Sequence, residues 1–343
     1  MRQTKRRIRT PTAREGFCIA AVALLAINAF AQNDGFSQDR LKRIGTAVQG
    51  SVDRGEIAGA VTLVARHGKI VWLEATGKQD RENNKPMRTD SIFRICSMTK
   101  PITTLAVMML YEEGRFQLGD AISKYIPEFN DPRVLVTPKE GKPYTIPATN
   151  QITIWNLLTH TSGITYNWDP ILGQTYKDSN VASGLLQYDG TIGESVKRLA
   201  RLPLLFDPGE RWNYGLNIDV LGYLVEVISG QPLAQFMKQR IFDPLGMKDT
   251  FFYVPEDKSD RLATAYTWYE GKGLARFPDI PITEGVFTYS ADYPVRGPKK
   301  LFSGGAGLLD GNGLLSLFST DAQQGQDWRP STHQRKIGRT DDT

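Results

Sequence analysis

Hydrophobic residues recur at helical spacing in three parts of the 343-residue chain. The first part follows Ser37 and ends at Gly55. The second begins near Ser97, ends at Gly114, and has apolar residues at Ile102, Leu105, Ala106, Met109 and Leu110. The third ends at Gly230 and has apolar residues at Leu221, Leu224, Val225 and Ile228. Because such a spacing puts each set on one helix face, the pattern predicts three amphipathic helices, each ended by a glycine.

Two β-strands are predicted between the first two helices. Residues 60–65 and 70–75 are rich in apolar and β-branched residues, and residues 66–69 between them predict a tight turn. Gly68 supplies the positive φ that such a turn needs, and His67 beside it is expected to lie in solvent. Farther along, short helices are predicted over residues 154–158 and 233–241.

The net charge of +5 at pH 7 comes from the first residues of the chain. Residues 1–31 hold six basic side chains and one acidic one, and the remaining residues hold 36 of each sign. A basic leader on a neutral body gives no reason to expect binding to nucleic acid or to an anionic membrane surface.

That leader has the organisation of a secretory signal peptide. Basic residues extend to Arg14, an apolar stretch covers residues 17–30, and residues 29–31 form an A-x-A cleavage site. We expect removal of residues 1–31 and export to the periplasm or the cell exterior by the general secretion route, with no stable membrane span afterwards. The arginine pair at residues 6–7 leaves the twin-arginine route open, and an uncleaved membrane anchor is the alternative.

Ser97 and Lys100 are the first candidates for chemistry. They form an S-x-x-K sequence at the predicted start of a helix, where residues i and i+3 share a face, so their side chains are expected to point into the same space. Pro101 suits this position, because the first helical turn tolerates the loss of an N–H. A serine at a helix start is more often only an N-cap, so the motif needs a second site to support it.

The second site surrounds Tyr214, in a loop just before the helix that ends at Gly230. The alternative interpretation of Tyr214 is a tyrosine that covers the core with its hydroxyl in water. His160 is a further candidate partner for Ser97. A histidine among Thr and Ser before a glycine turn is, however, more typical of a loop held by hydrogen bonds.

Several chemistries find no support in the sequence. No serine stands in a G-x-S-x-G sequence, which argues against an α/β-hydrolase. Three histidines in total and no ligand-spaced cluster argue against a metal site, and no phosphate loop stands out, so we expect no metal and no cofactor. After removal of the leader Cys96 would be the only cysteine, so no intrachain disulfide is expected.

Taken together, these segments resemble the serine β-lactamase and penicillin-binding protein superfamily, and above all the class C β-lactamases and the family VIII carboxylesterases. The matching segments, in the family's order, are residues 93–113, 120–129, 156–163, 207–222, 230–252 and 303–308. The resemblance implies an α/β (α+β) fold in which helices and a mostly helical region flank a central antiparallel sheet. The implied domain covers residues 32–309, between the leader at 1–31 and a non-matching tail at 310–343.

The resemblance also implies the catalytic residues. Ser97 would form an acyl-enzyme, and Lys100 and Tyr214 would move its proton. A serine hydroxyl is a poor nucleophile until a base accepts its proton, and a lysine amine can do so only when it is neutral. Which of Lys100 and Tyr214 is the base at each step stays open.

Residue 216 departs from the class C pattern. The motif there is Tyr-x-Asn, whose asparagine binds the substrate amide, whereas this chain has Leu216 at that position and Asn217 one step later. Leucine makes no side-chain hydrogen bond, and the family's esterases often have leucine here. We therefore expect small esters as substrates, with β-lactams or cell-wall peptides as the alternative. An inactive relative that binds peptidoglycan or a protein partner is a further alternative, and the oligomeric state stays open.

The end of the chain departs from the family pattern too. The family continues after residues 303–309 with a helix and with strands carrying a Lys-Thr-Gly, His-x-Gly or Trp-Gly-Gly motif, which this sequence lacks. Residues 319–343 are poor in apolar residues, so disorder is expected. We expect a frameshift or truncation, an open sheet edge in place of the missing C-terminal strands, and the loss of one oxyanion donor. Such a loss costs on the order of 10²–10³ in rate.

Overall fold

The computed structural model describes residues 35–278, 281–284, 287–293, 295–311 and 313–314. The predicted leader at 1–31 and most of the predicted tail at 310–343 lie outside the described residues, so what was predicted of them stays a prediction. Every helix within the described ranges is too short or too polar to cross a membrane.

Short antiparallel strand pairs alternate with helices along the chain. The helices are α1 (Gln38–Asp53), α2 (Thr99–Glu112), α3 (Ile154–Leu158), α4 (Gly173–Asp178), α5 (Ile192–Leu199), α6 (Asn217–Ser229) and α7 (Leu233–Met237). The strands are β1 (Gly59–Arg66), β2 (Lys69–Asp80), β3 (Lys85–Pro86), β4 (Phe93–Arg94), β5 (Arg133–Val136), β6 (Tyr144–Pro147), β7 (Tyr266–Tyr269), β8 (Gly273–Arg276), β9 (Ile282–Glu284), β10 (Phe287–Tyr289) and β11 (Leu309–Asp310).

The N-terminal part folds as predicted. The hydroxyl of Ser37 caps α1, and β1 pairs with β2 in an antiparallel hairpin that continues to β3. His67 and Gly68 turn the chain with φ values of 51° and 73°, and the His67 side chain is exposed. α1 packs against β1 and β2, which gives this hairpin a covered face.

The main hydrophobic core lies where α2 packs against α6. Ile102, Ala106 and Leu110 are buried as predicted, but the prediction for Leu105 is wrong, because its side chain is 36% exposed. The buried face also holds Val107 and two threonines at positions 99 and 103. These threonine hydroxyls bond to the backbone of residues 308 and 304, so tertiary partners satisfy them inside the core.

The later helices and the pairing of β11 with β4 complete the fold. α6 ends at Gly230 with φ 70°, as predicted, and α7 continues into a π-helix over Lys238–Phe242. β11 pairs antiparallel with β4, which places residues 303–309 beside the start of α2. The predicted α/β (α+β) class, with helices around antiparallel sheets, is confirmed. In place of one central sheet, the described residues form the three-stranded sheet of β1, β2 and β3 and four two-stranded sheets.

Candidate active site

Ser97 lies in a single 3₁₀ turn, Cys96–Met98, that leads directly into α2. The residue before it, Cys96, has φ 43°, a backbone conformation that side-chain-bearing residues rarely adopt and that recurs at functional turns. The turn leaves the Ser97 side chain exposed to solvent. Ser97 is not the N-cap of α2. Met98 occupies the N-cap position, and its side chain makes no capping hydrogen bond.

The structure brings the three predicted site residues together. The hydroxyl of Tyr214 donates a hydrogen bond to Oγ of Ser97 at 2.7 Å, and Nζ of Lys100 donates to the same oxygen at 3.2 Å. Nζ of Lys100 also lies 4.6 Å from the centre of the Tyr214 ring. One oxygen therefore faces two groups that can take or return its proton.

Lys100 has two further partners, one of which sequence reasoning missed. Its Nζ donates to the Gly305 carbonyl at 2.8 Å and to the Tyr166 hydroxyl at 3.1 Å. Tyr166 is 2% exposed, and burial raises its pKa far above the ordinary value, so it stays a neutral phenol. Its ring stacks on Trp168 with centroids 3.9 Å apart. No spacing or motif in the sequence points to Tyr166.

His160 holds the loop that carries Tyr214, and its sequence context favoured this role. The Gly215 N–H donates to Nδ1 of His160 at 3.4 Å, and the Asn217 amide lies 2.9 Å from the same nitrogen. The His160 ring packs on the Tyr214 ring with centroids 5.1 Å apart. Burial, and secondarily the charge of Lys100, lowers the pKa of His160 to about 4, so the ring is neutral at pH 7.

No hydrogen-bonding side chain faces the site from position 216 or 217. Leu216 is buried in the core. Asn217 is also buried, and its side chain pairs with the Ser162 hydroxyl and with His160. Asn217 stands one position later than the asparagine of the Tyr-x-Asn motif, and its hydrogen bonds to Ser162 and His160 support the loop that carries Tyr214.

A buried carboxylate fixes the glycine-rich turn, residues 303–307, that faces Lys100. Asp219 on α6 accepts hydrogen bonds from the Ser303 hydroxyl at 2.5 Å and from the Gly305 N–H at 3.2 Å. Burial raises the pKa of Asp219, while these two hydrogen bonds and the nearby charge of Lys100 oppose the rise. The Gly305 carbonyl is thereby held toward the lysine amine.

Among the described residues, no three His, Cys, Asp or Glu side chains lie close enough together to hold a metal ion. The chemistry available at the site is that of a hydroxyl, an amine and two phenols. Such a set suits nucleophilic attack with proton transfer.

An S-x-x-K pair on a helix, opposite a loop tyrosine in an α/β fold, defines the class of serine β-lactamases and penicillin-binding proteins. The Beta-lactamase family model matches residues 44–335, and the chain belongs to this family. The family predicted from the sequence is thus confirmed.

Relatives with esterase names are among the similar proteins. Esterase EstB of Burkholderia gladioli is 38% identical over 258 residues, which cover 74% of this chain and 62% of that protein. Lovastatin esterase of Penicillium rubens is 34% identical over 226 residues, 63% of this chain and 55% of that protein. The chain thus spans between about half and two thirds of these curated relatives.

The solved structure of EstCE1, described as a hydrolase with promiscuous acyltransferase activity, superposes with a TM-score of 0.70 and 31% identity. The match covers 82% of this chain and 72% of that one. Simvastatin synthase (LovD) from Aspergillus terreus superposes with a TM-score of 0.66 and 26% identity, over 84% of this chain and 68% of that one. These relatives support the coarse class predicted for this chain, an esterase-like hydrolase of the β-lactamase family.

Proposed function

We propose that this protein hydrolyses small esters through an acyl-enzyme on Ser97. The observation that carries the proposal is the convergence on one oxygen: Oγ of Ser97 lies 2.7 Å from the Tyr214 hydroxyl and 3.2 Å from Nζ of Lys100. Distances of this size suit direct proton transfer between a nucleophile and its base.

In the acylation step, Oγ of Ser97 attacks the ester carbonyl carbon and its proton passes to the Lys100–Tyr214 pair. Tyr214 then returns a proton to the leaving alcohol oxygen as the carbon–oxygen bond breaks. In deacylation the same pair takes a proton from water, whose oxygen attacks the acyl carbon, and returns a proton to Oγ of Ser97 as the bond between Oγ and the acyl carbon breaks. The exposed position of Ser97 gives water access to the acyl-enzyme.

The choice of esters over amides rests on residues 216 and 217. A β-lactam or peptide amide needs a hydrogen-bonding side chain beside the tyrosine, and a site that leaves an amide unpaired loses binding energy. Leu216 offers none, and Asn217 is occupied within the scaffold. A small ester without an amide substituent makes no such demand.

The proposal is tested by labelling the purified chain with a fluorophosphonate probe. We expect one label per chain, absent in Ser97→Ala, and turnover of a short-chain nitrophenyl ester well above that of a chromogenic cephalosporin. A folded chain that never labels contradicts the proposal and supports a binding protein. Faster turnover of the cephalosporin supports a β-lactamase.

Acyl transfer to an alcohol is a second candidate, because an exposed acyl-Ser97 is open to alcohols as well as water. Acyltransferase mokF of Monascus pilosus, 31% identical over 234 residues, is named as an acyltransferase. Adding a primary alcohol to the ester assay separates the two. Formation of the new ester at the expense of the free acid supports transfer.

We also propose that the protein is exported, on the strength of the leader at residues 1–31. Expression of the full chain in a Gram-negative host, followed by fractionation and N-terminal sequencing, tests this. A mature N-terminus at Gln32 in the periplasmic fraction is expected, and an intact Met1 in the cytoplasm contradicts export.

A further inference from the structure

Trp212 is the most exposed of the large apolar side chains in the part of the chain that the structure describes. It lies two residues before Tyr214 and is 65% exposed. Its ring is nearly parallel to the Tyr214 ring, with an interplanar angle of 22° and centroids 6.2 Å apart. An indole has a large apolar surface that is unfavourable to leave in water, so a ligand that covers this ring would be stabilised.

The alcohol part of an ester leaves the site on the side of Tyr214. In the proposed mechanism the Tyr214 hydroxyl, 2.7 Å from Oγ of Ser97, protonates the leaving alcohol oxygen, so this oxygen lies within hydrogen-bond reach of the phenol. The rings of Tyr166, His160 and Trp212 pack around Tyr214. Tyr166 is 2% exposed and His160 is half-buried, so Trp212 is the neighbouring ring that offers open surface to the alcohol.

The charges near Trp212 favour a neutral ligand. An exposed tryptophan ring can also bind a cation, and a carboxylate beside it would help. The nearby carboxylate of Glu210 already pairs with Arg211 at 3.1 Å. Nζ of Lys100, 4.6 Å from the centre of the Tyr214 ring, would repel a cationic group. A neutral aromatic group therefore suits this surface better than an ammonium group.

We propose that Trp212 is the platform on which the alcohol part of the ester stacks. The preferred substrates are esters of neutral aromatic alcohols, in which a short linker such as one methylene joins the ring to the leaving oxygen. Aromatic pairs have centroids about 4.5–7 Å apart, so a ring held beside the Tyr214 hydroxyl can reach Trp212. This assignment rests on the proposed esterase function and concerns the alcohol specificity of the same site.

The test compares benzyl acetate with cyclohexylmethyl acetate, which share the acyl group and have leaving alcohols of similar size. Trp212→Leu keeps an apolar side chain but removes the ring, so it should lower the kcat/KM ratio of the benzyl to the cyclohexylmethyl ester by about two- to tenfold. Trp212→Phe keeps a ring and should retain most of the preference. Each ratio is compared with that of the wild type, so the difference in intrinsic reactivity between the two esters cancels.

Trp268→Leu is the matched control. Trp268 on β7 is 60% exposed as well, and its loss should leave the ratio unchanged. If Trp212 only supports the Tyr214 loop, through a ring contact with His160 at 6.3 Å, Trp212→Leu slows both esters by the same factor. An unchanged ratio in Trp212→Leu, or an equal fall in Trp268→Leu, overturns the platform while the esterase stands.

Binding without catalysis separates failure of the platform from failure of the esterase. ¹⁹F NMR measures the binding of 4-fluorobenzyl alcohol to Ser97→Ala, which cannot form an acyl-enzyme. Binding that weakens about two- to tenfold when Trp212→Leu is added, and not when Trp268→Leu is added, supports the platform. No binding to Ser97→Ala, or equal binding to both double variants, overturns it. A wild-type chain that hydrolyses neither ester contradicts the proposed function itself, and the binding result still decides the platform.

Discussion

His160 is expected to make the folded protein sensitive to acid. The Gly215 N–H points at its Nδ1 from 3.4 Å, and the Asn217 amide lies 2.9 Å from the same nitrogen. Nδ1 must therefore accept, which puts the proton of the neutral ring on Nε2. Protonation would turn this acceptor into a donor and would add a positive charge near Lys100. Burial and that neighbouring charge lower the pKa of His160 to about 4.

The sign and size of the effect follow from linkage. In the unfolded chain a histidine has a pKa of about 6.5, so the unfolded state takes up the proton first as the pH falls. The contribution is complete above about pH 6.5, falls between pH 6.5 and pH 4, and is lost below that. At about 1.36 kcal/mol per pKa unit, the whole effect is at most about 3 kcal/mol, and solvent screening of the partly exposed ring lowers it. Of this, between about 1 and 2 kcal/mol is lost between pH 7 and pH 4.5.

Urea unfolding of the wild type and of His160→Asn at pH 7 and pH 4.5 measures this contribution. Asparagine keeps an acceptor and tolerates the backbone at this position, where φ is 56°. We expect the variant to lose about 1–2 kcal/mol less than the wild type on acidification. His67→Asn is the matched control, with φ 51° and an exposed side chain, and should behave as the wild type. Equal losses in the wild type and in His160→Asn would refute the reasoning.

Three further changes test the site. Tyr214→Phe removes the hydroxyl 2.7 Å from Ser97 Oγ and should lower kcat for a nitrophenyl ester about 10²–10⁴-fold. Tyr166→Phe removes one of the hydrogen-bond partners of Lys100 and should lower kcat about tenfold, because one hydrogen bond contributes up to about 1.5 kcal/mol. Asp219→Ala leaves two buried donors of the glycine-rich turn without an acceptor, so urea unfolding should show a free energy of unfolding lower by about 2–4 kcal/mol.

Each of these changes has a matched control. Tyr144→Phe alters an exposed tyrosine of β6 and should leave kcat within about twofold, since surface substitutions rarely matter. Asp219→Asn keeps an acceptor oxygen and should retain more stability than Asp219→Ala.

A kcat within about threefold of the wild type in Tyr214→Phe would remove Tyr214 from the mechanism. The same result in Tyr166→Phe would remove its role toward Lys100, and an Asp219→Ala variant as stable as the wild type would remove the role of the carboxylate.

The parts of the site that could be predicted from the sequence are local. Ser97 and Lys100 lie three residues apart, and helical geometry alone brings such a pair onto one face. Tyr214 is 117 residues from Ser97, and only resemblance to a known family connected the two. Tyr166 is 66 residues from Lys100 and follows no motif, so its contact with the amine arises only when the chain folds.

The same limit applies to the face of α2. Periodicity predicted burial of Leu105 and did not predict burial of Thr99 and Thr103. A hydroxyl can be buried when it finds a partner, and the partners here are backbone groups about 200 residues later in the chain. Hydrophobic patterning describes each segment alone, so it cannot reveal hydrogen bonds between buried polar groups of two distant segments.

The glycine-rich turn couples the two halves of the site. A Cβ on Gly304 would lie 2.7 Å from the carbonyl oxygen of Ile218 on α6, so the turn packs against this helix closer than any side chain allows. On its other side, the Gly304 carbonyl accepts a hydrogen bond from Thr103 on α2 at 2.7 Å. α2 carries Lys100 and α6 follows Tyr214, so a side chain at position 304 would push this turn away from a helix that carries or follows a site residue. A misplacement of about 1 Å at an active site can cost about 10²-fold in rate, so in the proposed mechanism the absence of a side chain here serves catalysis as well as packing.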